Sequence, residues 1–334
     1  MNNSSQELIK LLVALSLVLL FASGLFAETD ITRDLKIVRT FPSEKQSIEH
    51  DYVLDRGHFV IADNELFFCS QPQHRIFVLD LHGNLLRTIG RRGQGPGEFQ
   101  LPRSLYAFSG YLYVLDNMNA RIQIISKDGE FKKAIKLADT LGGIAVAQNK
   151  MILNNYCRRN PEDVEGFPVI GIYNMDGFLE KRIYSKFAST PDEFYSQIFE
   201  MRLVGKYLHC LQRYGTDYKI FDLTGDLIDE FRLQYNPFKD RDHKKTGYLW
   251  GYKTFCTDGT TIYVPLDVKG KVCILAFDMK GRLIRRYESR QDNADDVYNI
   301  MDMTIHFEAG RKFLFLFQCS PIDIMYVAEL EVNP

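Results

Sequence analysis

Arg75-Ile76-Phe77-Val78-Leu79-Asp80-Leu81-His82-Gly83 aligns without a gap to Arg121-Ile122-Gln123-Ile124-Ile125-Ser126-Lys127-Asp128-Gly129. Each stretch is an apolar run, rich in β-branched residues, that ends at a glycine and continues into a second short run: Asn84 to Ile89 in the first and Glu130 to Ile135 in the second. A strand, a tight turn closed by glycine and a second strand make a β-hairpin, and glycine suits a primed two-residue turn because it accepts positive φ. The unit recurs as Ile172 to Gly177, Tyr218 to Gly225 and Cys273 to Gly281. The turn glycines at 83, 129, 177, 225 and 281 are spaced by 46, 48, 48 and 56 residues. That period fits the four-stranded blades of a β-propeller.

Upstream of each hairpin lies another. Its turns fall at Asp63-Asn64, Ser109-Gly110, Asn149-Lys150, Gly205-Lys206, Asp258-Gly259 and Ala309-Gly310. Each unit therefore reads as strand a, short turn, strand b, loop, strand c, short turn, strand d. The sixth unit has only three strands before the sequence given stops at Pro334. Near the other end, Leu35 to Phe41 reads as a strand with no unit of its own. The expected fold is all-β: six blades of four antiparallel strands, with the N-terminal strand completing the last blade, closing the ring and removing free edges. Strand d is the outer edge of a blade and should carry charge against edge-to-edge pairing. Lys132 and Lys133, Glu180 to Arg182, Asp229 and Glu230, and Arg285 and Arg286 supply it.

The stretch Gly90-Arg91-Arg92-Gly93-Gln94-Gly95-Pro96-Gly97-Glu98-Phe99-Gln100-Leu101-Pro102, followed by Tyr111 to Ile125 and by Asp128-Gly129, resembles the NHL repeat: a glycine-rich loop, Phe, Pro, then a V-x-D-x-x-N-x-R-I-Q strand pair. The match covers roughly residues 85–130; later units keep the rhythm and lose the signature. The resemblance implies an exported bacterial six-bladed propeller. Such propellers are mostly binding platforms, and some relatives are lyases or lactonases with a metal in the central channel. A single Trp argues against the WD-repeat class.

Length and composition agree. All-β folds often exceed 250 residues as one domain, so 334 residues need not mean two. Hydrophobic residues make up 46% and charged residues 25%, as in a soluble globular chain. A net charge of −2 gives no electrostatic footprint for nucleic acid. Lys10 followed by an apolar run from Leu11 to Phe26 reads as a targeting segment over residues 1–27, a cleaved signal peptide or an uncleaved anchor. Residues 28–334 are then one domain acting in the periplasm or outside the cell, with membrane contact only through such an anchor.

The sequence has no Gly-x-Ser-x-Gly, His-Glu-x-x-His or Cys-x-x-Cys. The glycine-rich loop lacks the Gly-Lys-Ser/Thr ending of a phosphate loop and reads as a crossover between blades, although Arg91 and Arg92 could bind an anion. Asp116, Asn117, Asn119 and Arg121 read as a structural cluster holding the b–c loop. The seven His form no spaced metal set. His58, His209 and His306 fall on inner strands and are the candidates for a divalent metal in the channel. The six Cys are expected to be unpaired, because equivalent positions in blades about 10 Å apart are too distant to bridge.

Every a–b and c–d turn is short, and the long connections (91–100, 158–167, 188–197, 235–252 and 289–299) all emerge on the other face. Loops on a rigid scaffold are where binding concentrates. Arg91, Arg92, Arg158, Arg159, Arg241, His243, Tyr248, Trp250 and Tyr252 are the binding candidates on that face. Their mix of aromatic and basic side chains suits a protein, peptide or carbohydrate partner. The expected function is a monomeric binding or scaffold module without a cofactor. The alternative is a channel-centred lyase or lactone hydrolase that needs a divalent metal.

Overall fold

A computed structural model of the chain describes residues 31–42, 52, 54–55, 57–137, 142–154, 170–184, 198–235, 252–268, 271–289, 299–319 and 323–330. From Arg33 onward the chain forms one compact unit. Six antiparallel sheets follow one another, each with strands a to d in spatial order. Sheet one is Gly57–Ala62, Glu65–Ser70, Arg75–Asp80 and Leu85–Ile89. Sheet two is Pro102–Phe108, Tyr111–Asp116, Arg121–Ser126 and Phe131–Lys136, with a single 3-10 turn at Asn117–Asn119. Sheet three is Gly143–Ala147, Lys150–Asn154, Ile170–Asn174 and Leu179–Tyr184. Sheet four is Phe199–Val204, Tyr207–Gln212, Asp217–Asp222 and Leu227–Arg232. Sheet five is Cys256–Thr257, Thr261–Val268, Lys271–Asp278 and Leu283–Glu288, and the short strand Thr32–Asp34 lies beyond its strand d. Sheet six takes strands a to c from Ile300–Glu308, Arg311–Gln318 and Ile324–Leu330, and its fourth strand from Lys36–Phe41.

Strand a of each sheet packs against strand a of the next, and strand a of sheet six against strand a of sheet one. The inner strands thus form a closed cycle about an axis. Apolar side chains from facing sheets fill the space between neighbours: Phe67, Val78 and Val114 join sheets one and two, while Phe41, Phe68, Phe77, Phe315 and Phe317 join sheets six and one. Strands b and c, covered on both faces, are nearly all apolar, whereas strand d of sheet four (Leu-Ile-Asp-Glu-Phe-Arg) is exposed along most of its length. This is the burial gradient that the charged outer strands predict.

The turns differ from expectation in two respects. In sheet three the a–b turn is Gln148-Asn149 rather than Asn149-Lys150: Ala147 pairs with Lys150, and both turn residues have positive φ (48° and 60°). Asn tolerates the left-handed region, so the residue that signals this turn sits second in it. The c–d turns are not two-residue primed turns. In each the glycine N–H donates to the carbonyl three residues back (Gly83 to Asp80, 3.1 Å; Gly225 to Asp222, 3.1 Å), the glycine has positive φ, and the register shifts beside it. This is the three-residue hairpin whose glycine forms a bulge. The residue opening the turn is Asp80, Ser126, Asn174, Asp222 or Asp278, and its side chain accepts N–H groups within the turn, as Asp80 does from His82 (2.8 Å) and Asn84 (2.9 Å). The full signal is therefore Asp/Asn/Ser-x-x-Gly.

Gly83 does more than turn the chain. A Cβ there would lie 2.3 Å from Cγ of Phe41, the fully buried end of the fourth strand of sheet six. Its carbonyl also accepts the Tyr52 hydroxyl at 2.5 Å. Gly83→Ala is expected to lose about 2–3 kcal/mol, from a left-handed φ and an overpacked contact together. Denaturant unfolding checks this, and an unchanged midpoint would mean that Phe41 can retreat.

Candidate functional site

The long inter-sheet connections enter strand a at its first residues, so the start of each inner strand faces the long-loop mouth of the axis. A cavity of about 300 Å³ opens on the axis between the inner strands. Its polar wall is His58 from sheet one, Ser104 from sheet two, Asn154 from sheet three, Glu200 and Arg202 from sheet four, and Asp302 and Thr304 from sheet six. Sheet three contributes Gly142, Gly143, Ile144 and Ala145 beside Asn154.

Asp302 is the centre of this wall. Its side chain is only 6% exposed, yet it is charged and fully hydrogen-bonded. Oδ1 accepts from Arg202 Nη2 (2.8 Å) and the Met303 N–H (2.9 Å). Oδ2 accepts from the Phe59 N–H (3.1 Å) and lies 3.2 Å from His58 Nδ1. Burial alone would raise the carboxyl above its ordinary value. The charges of His58 and Arg202 and the hydrogen bonds from His58 and Phe59 outweigh burial and hold it below. Arg202 is itself fixed by donating to the Met201 carbonyl and to Thr254 Oγ1, each at 2.8 Å, and its guanidinium lies 5.7 Å from the Phe255 ring centre. One carboxylate thus ties together sheets one, four, five and six. The second buried acid, Glu200, pairs with Arg213 at 3.0 Å. At the same mouth Lys253 donates to Asn299 Oδ1 at 2.7 Å.

The sequence-level candidates divide. His58 lies on the cavity wall. His209 does not: it is buried on strand b of sheet four, 3.0 Å from the Tyr218 hydroxyl, and desolvation pulls it down to about 4. His306 lies farther along strand a of sheet six, toward its a–b turn, with its ring centre 6.1 Å from that of Phe315. Burial lowers it, Glu308 opposes and Arg39 adds to the lowering. The three are not brought together, and among the described residues no group of three or more His, Cys, Asp and Glu is placed to hold a metal ion. Tyr252 corrects the reading of it as a surface contact. It is fully buried among Tyr218, Leu233 and Phe255, its hydroxyl donating to the Tyr235 carbonyl at 2.7 Å. Arg158, Arg159, Arg241, His243, Tyr248 and Trp250 lie outside the described residues, as do residues 1–30 and Cys157.

Arg91 and Arg92 are exposed, but Arg91 is paired with Glu98 (Nε to Oε1, 2.9 Å). The glycine-rich loop is built around a cation of its own. The Arg121 guanidinium donates to the carbonyls of Gln94 (2.7 Å), Gly95 (2.9 Å) and Glu98 (2.8 Å) while pairing with the buried Asp116 (2.8 Å). Asn119 donates to the Gly93 carbonyl and Gln123 to that of Glu98. A phosphate loop presents N–H groups; this loop turns carbonyls onto Arg121, so it is a crossover seating the buried Phe99. Of the described cysteines, Cys69, Cys210, Cys256 and Cys273 are free. Burial pushes the Cys69 thiol up to about 12 and the Cys273 thiol up to about 11, so neither offers a thiolate nucleophile.

Residues 57–141 match the model of a family, DUF5128, described as a 6-bladed beta-propeller. Six sheets in a closed cycle carry the same count through the rest of the chain. The chain is a six-bladed β-propeller. Solved structures agree on the fold. A candidate exported protein from Bacteroides fragilis is 11% identical, with 91% of this chain and 100% of that one covered and a TM-score of 0.59. A member of the DUF4221 family from Bacteroides vulgatus is 10% identical, with 90% and 99% covered and a TM-score of 0.61. At these identities the likeness is one of architecture, and the propeller's chemistry has to be read from its own channel.

Glu200, Arg202, Arg213 and Asp302 escape a motif search: Glu200 and Arg213 are 13 residues apart with no motif spacing, and the other pairs are far apart in the chain. Arg202 and Asp302 are 100 residues apart, and His58 and Asp302 are 244 apart. A usable signal does exist: a charged residue inside the innermost strand of a blade, as in Phe199-Glu200-Met201-Arg202 and Ile300-Met301-Asp302-Met303. The blade pattern alone puts such a charge near the axis, and burial then demands a partner.

Proposed function

We propose that this propeller is a non-enzymatic binding module, exported from the cytoplasm, that takes its ligand at the long-loop mouth of its axial channel. The observation carrying this reading is the state of the channel's ionic groups. Both buried carboxylates are spent on guanidinium groups and hydrogen bonds, while an open cavity of about 300 Å³ remains beside them. A general base needs a carboxylate or imidazole within reach of substrate and free to take a proton. Here Asp302 has four donors on it and a lowered pKa, which suits a support and not a base; the imidazole of His58, held at Nδ1 against Asp302 on the same wall, is the group whose capacity for turnover the compound screen probes. A concave, largely preformed cavity with a few fixed polar groups is the usual form of a small-molecule site. Export is supported by the apolar run from Leu11 to Phe26 and by likeness in fold to a candidate exported protein. Among the described residues no helix is long and apolar enough to cross a membrane.

The test is a thermal-shift screen of the purified chain against sugars, sugar acids and short peptides, with each mixture then checked by mass spectrometry. At least one class of compound is expected to raise the melting temperature and to be recovered unchanged. Conversion of any compound at catalytic ratio, with or without added divalent metal, would replace the binding reading with an enzymatic one.

A further inference from the structure

We infer that the channel ligand is a small hydroxylated carboxylate, about the size of one sugar acid, and that Arg202 grips its carboxylate group. This rests on the channel being the binding site and adds the ligand's chemistry. The inference follows from counting donors and acceptors on the wall. Asp302 has no acceptor position left, since each oxygen already has two partners. Glu200 is 9% exposed and held by Arg213. The acids line the cavity, but their charges are paired with Arg202 and Arg213. The cation is not withdrawn: the side chain of Arg202 is 26% exposed. Arg202 uses three N–H groups on Met201, Thr254 and Asp302. A guanidinium has five, and with both Nη2 N–H groups on Thr254 and Asp302 and one Nη1 N–H on Met201, the other Nη1 N–H and the Nε N–H are left for one more acceptor. His58, held through Nδ1 against Asp302, counts on neither side, because its Nε2 accepts in the neutral ring and donates only in the protonated one.

A wall with spare donors and spent acceptors favours an anion over a cation. Its rotation is fixed by Asp302, Thr254 and the Phe255 ring, so little ordering cost remains when a planar carboxylate docks. The rest of the lining selects the body of the ligand. Ser104, Thr304 and the backbone at Gly142 and Gly143 offer hydroxyl and peptide groups, and Leu105, Ile144 and Met201 offer apolar surface. Together they suit a ring with hydroxyls on its edge and an apolar face. The cavity volume is at the small end for ligand sites, which suits a single ring and leaves room beyond a bare inorganic anion.

Calorimetric titration of the full purified chain with D-galacturonate, D-glucuronate, D-galactose and inorganic phosphate tests this. One or both sugar acids should bind, and galactose and phosphate should bind at least about tenfold more weakly, the worth of one charge-assisted pair. Arg202→Lys keeps a positive charge beside Asp302, so the chain should still unfold cooperatively though at a lower melting temperature, because the bonds to Met201 and Thr254 go, and it should lose about tenfold in sugar-acid affinity because the guanidinium donors are gone. The charge-balanced pair Arg202→Gln with Asp302→Asn should lose binding as well. Galactose binding as tightly as galacturonate would overturn the carboxylate assignment and leave the binding-module reading standing. Phosphate binding as tightly as the sugar acids would mark an inorganic-anion site and overturn it too. Silence of every probe, or full affinity in Arg202→Lys, would overturn this inference alone, since the binding-module reading is tested separately, by turnover and by metal content.

Discussion

Deletion of residues 34–42 is expected to leave a chain with no cooperative unfolding transition. The segment holds Lys36–Phe41, which pairs in antiparallel register with the strand at Ile324–Leu330, from Lys36 opposite Glu329 to Phe41 opposite Met325. Its apolar side chains are spent on two different interfaces. Leu35 is buried with Ile274, Tyr287 and Leu330 between blades five and six, and Phe41 with Tyr52, Leu79 and Phe315 between blades six and one. Truncating one buried aromatic typically costs about 3–5 kcal/mol, and one buried leucine about 2–5. Together these approach the whole stability of an ordinary domain, about 5–15 kcal/mol. The loss would also strip one edge of the strand carrying Met325, Val327 and Ala328, all fully buried now, and leave its N–H and C=O groups unpaired. The ion pairs along the strand, Lys36 with Glu329 and Arg39 with Glu308, each have one exposed partner, are open to solvent and add little. Circular dichroism during thermal unfolding reads the outcome, with Phe41→Ala as the milder companion. A truncated chain that melts where the parent does would show that the ring holds without this strand.

Asp302→Ala should be the most damaging single substitution in the channel, at about 3–5 kcal/mol, because it leaves the Arg202 charge uncompensated and two backbone N–H groups without an acceptor. The same carboxylate predicts a pH dependence of fixed sign. Its folded pKa lies below the ordinary value, so the unfolded chain takes up a proton first as pH falls. Its contribution is complete above the unfolded value of about 4 and disappears as pH falls through the folded value. The stability difference between the parent and Asp302→Asn should therefore be constant at neutral and mildly acidic pH and shrink below about pH 4. Denaturant unfolding across that range checks it. A difference that grows on acidification would mean that the carboxyl is protonated in the folded channel.

The architecture was legible because a propeller repeats. Glycines at 83, 129, 177, 225 and 281 fall at the same point of five hairpins, and all have positive φ. Periodicity locates a hairpin better than it types its turn. The Asp/Asn/Ser that opens each c–d turn, and the Gln148-Asn149 turn, become plain only once hydrogen bonds and register are seen. The site was much less legible. Its residues come from strands far apart in the chain, and what makes them a site is convergence on an axis that no local pattern encodes. Tyr252 shows the opposite limit: an aromatic residue beside a long polar loop reads as surface, but the next residues return the chain to the core, where Tyr252 closes the packing between blades four and five. His209 is similar, a histidine on an inner strand that turns out to be a neutral partner of Tyr218.

The most direct measurement is the metal content of the purified chain, prepared without chelator, together with its melting temperature with and without EDTA. A channel whose acids are already satisfied by Arg202, His58 and Arg213 needs no ion. The expected result is no stoichiometric divalent metal and no change in melting temperature. A stoichiometric metal whose removal lowers the melting temperature would contradict the account and put a metal-dependent reaction at the axis.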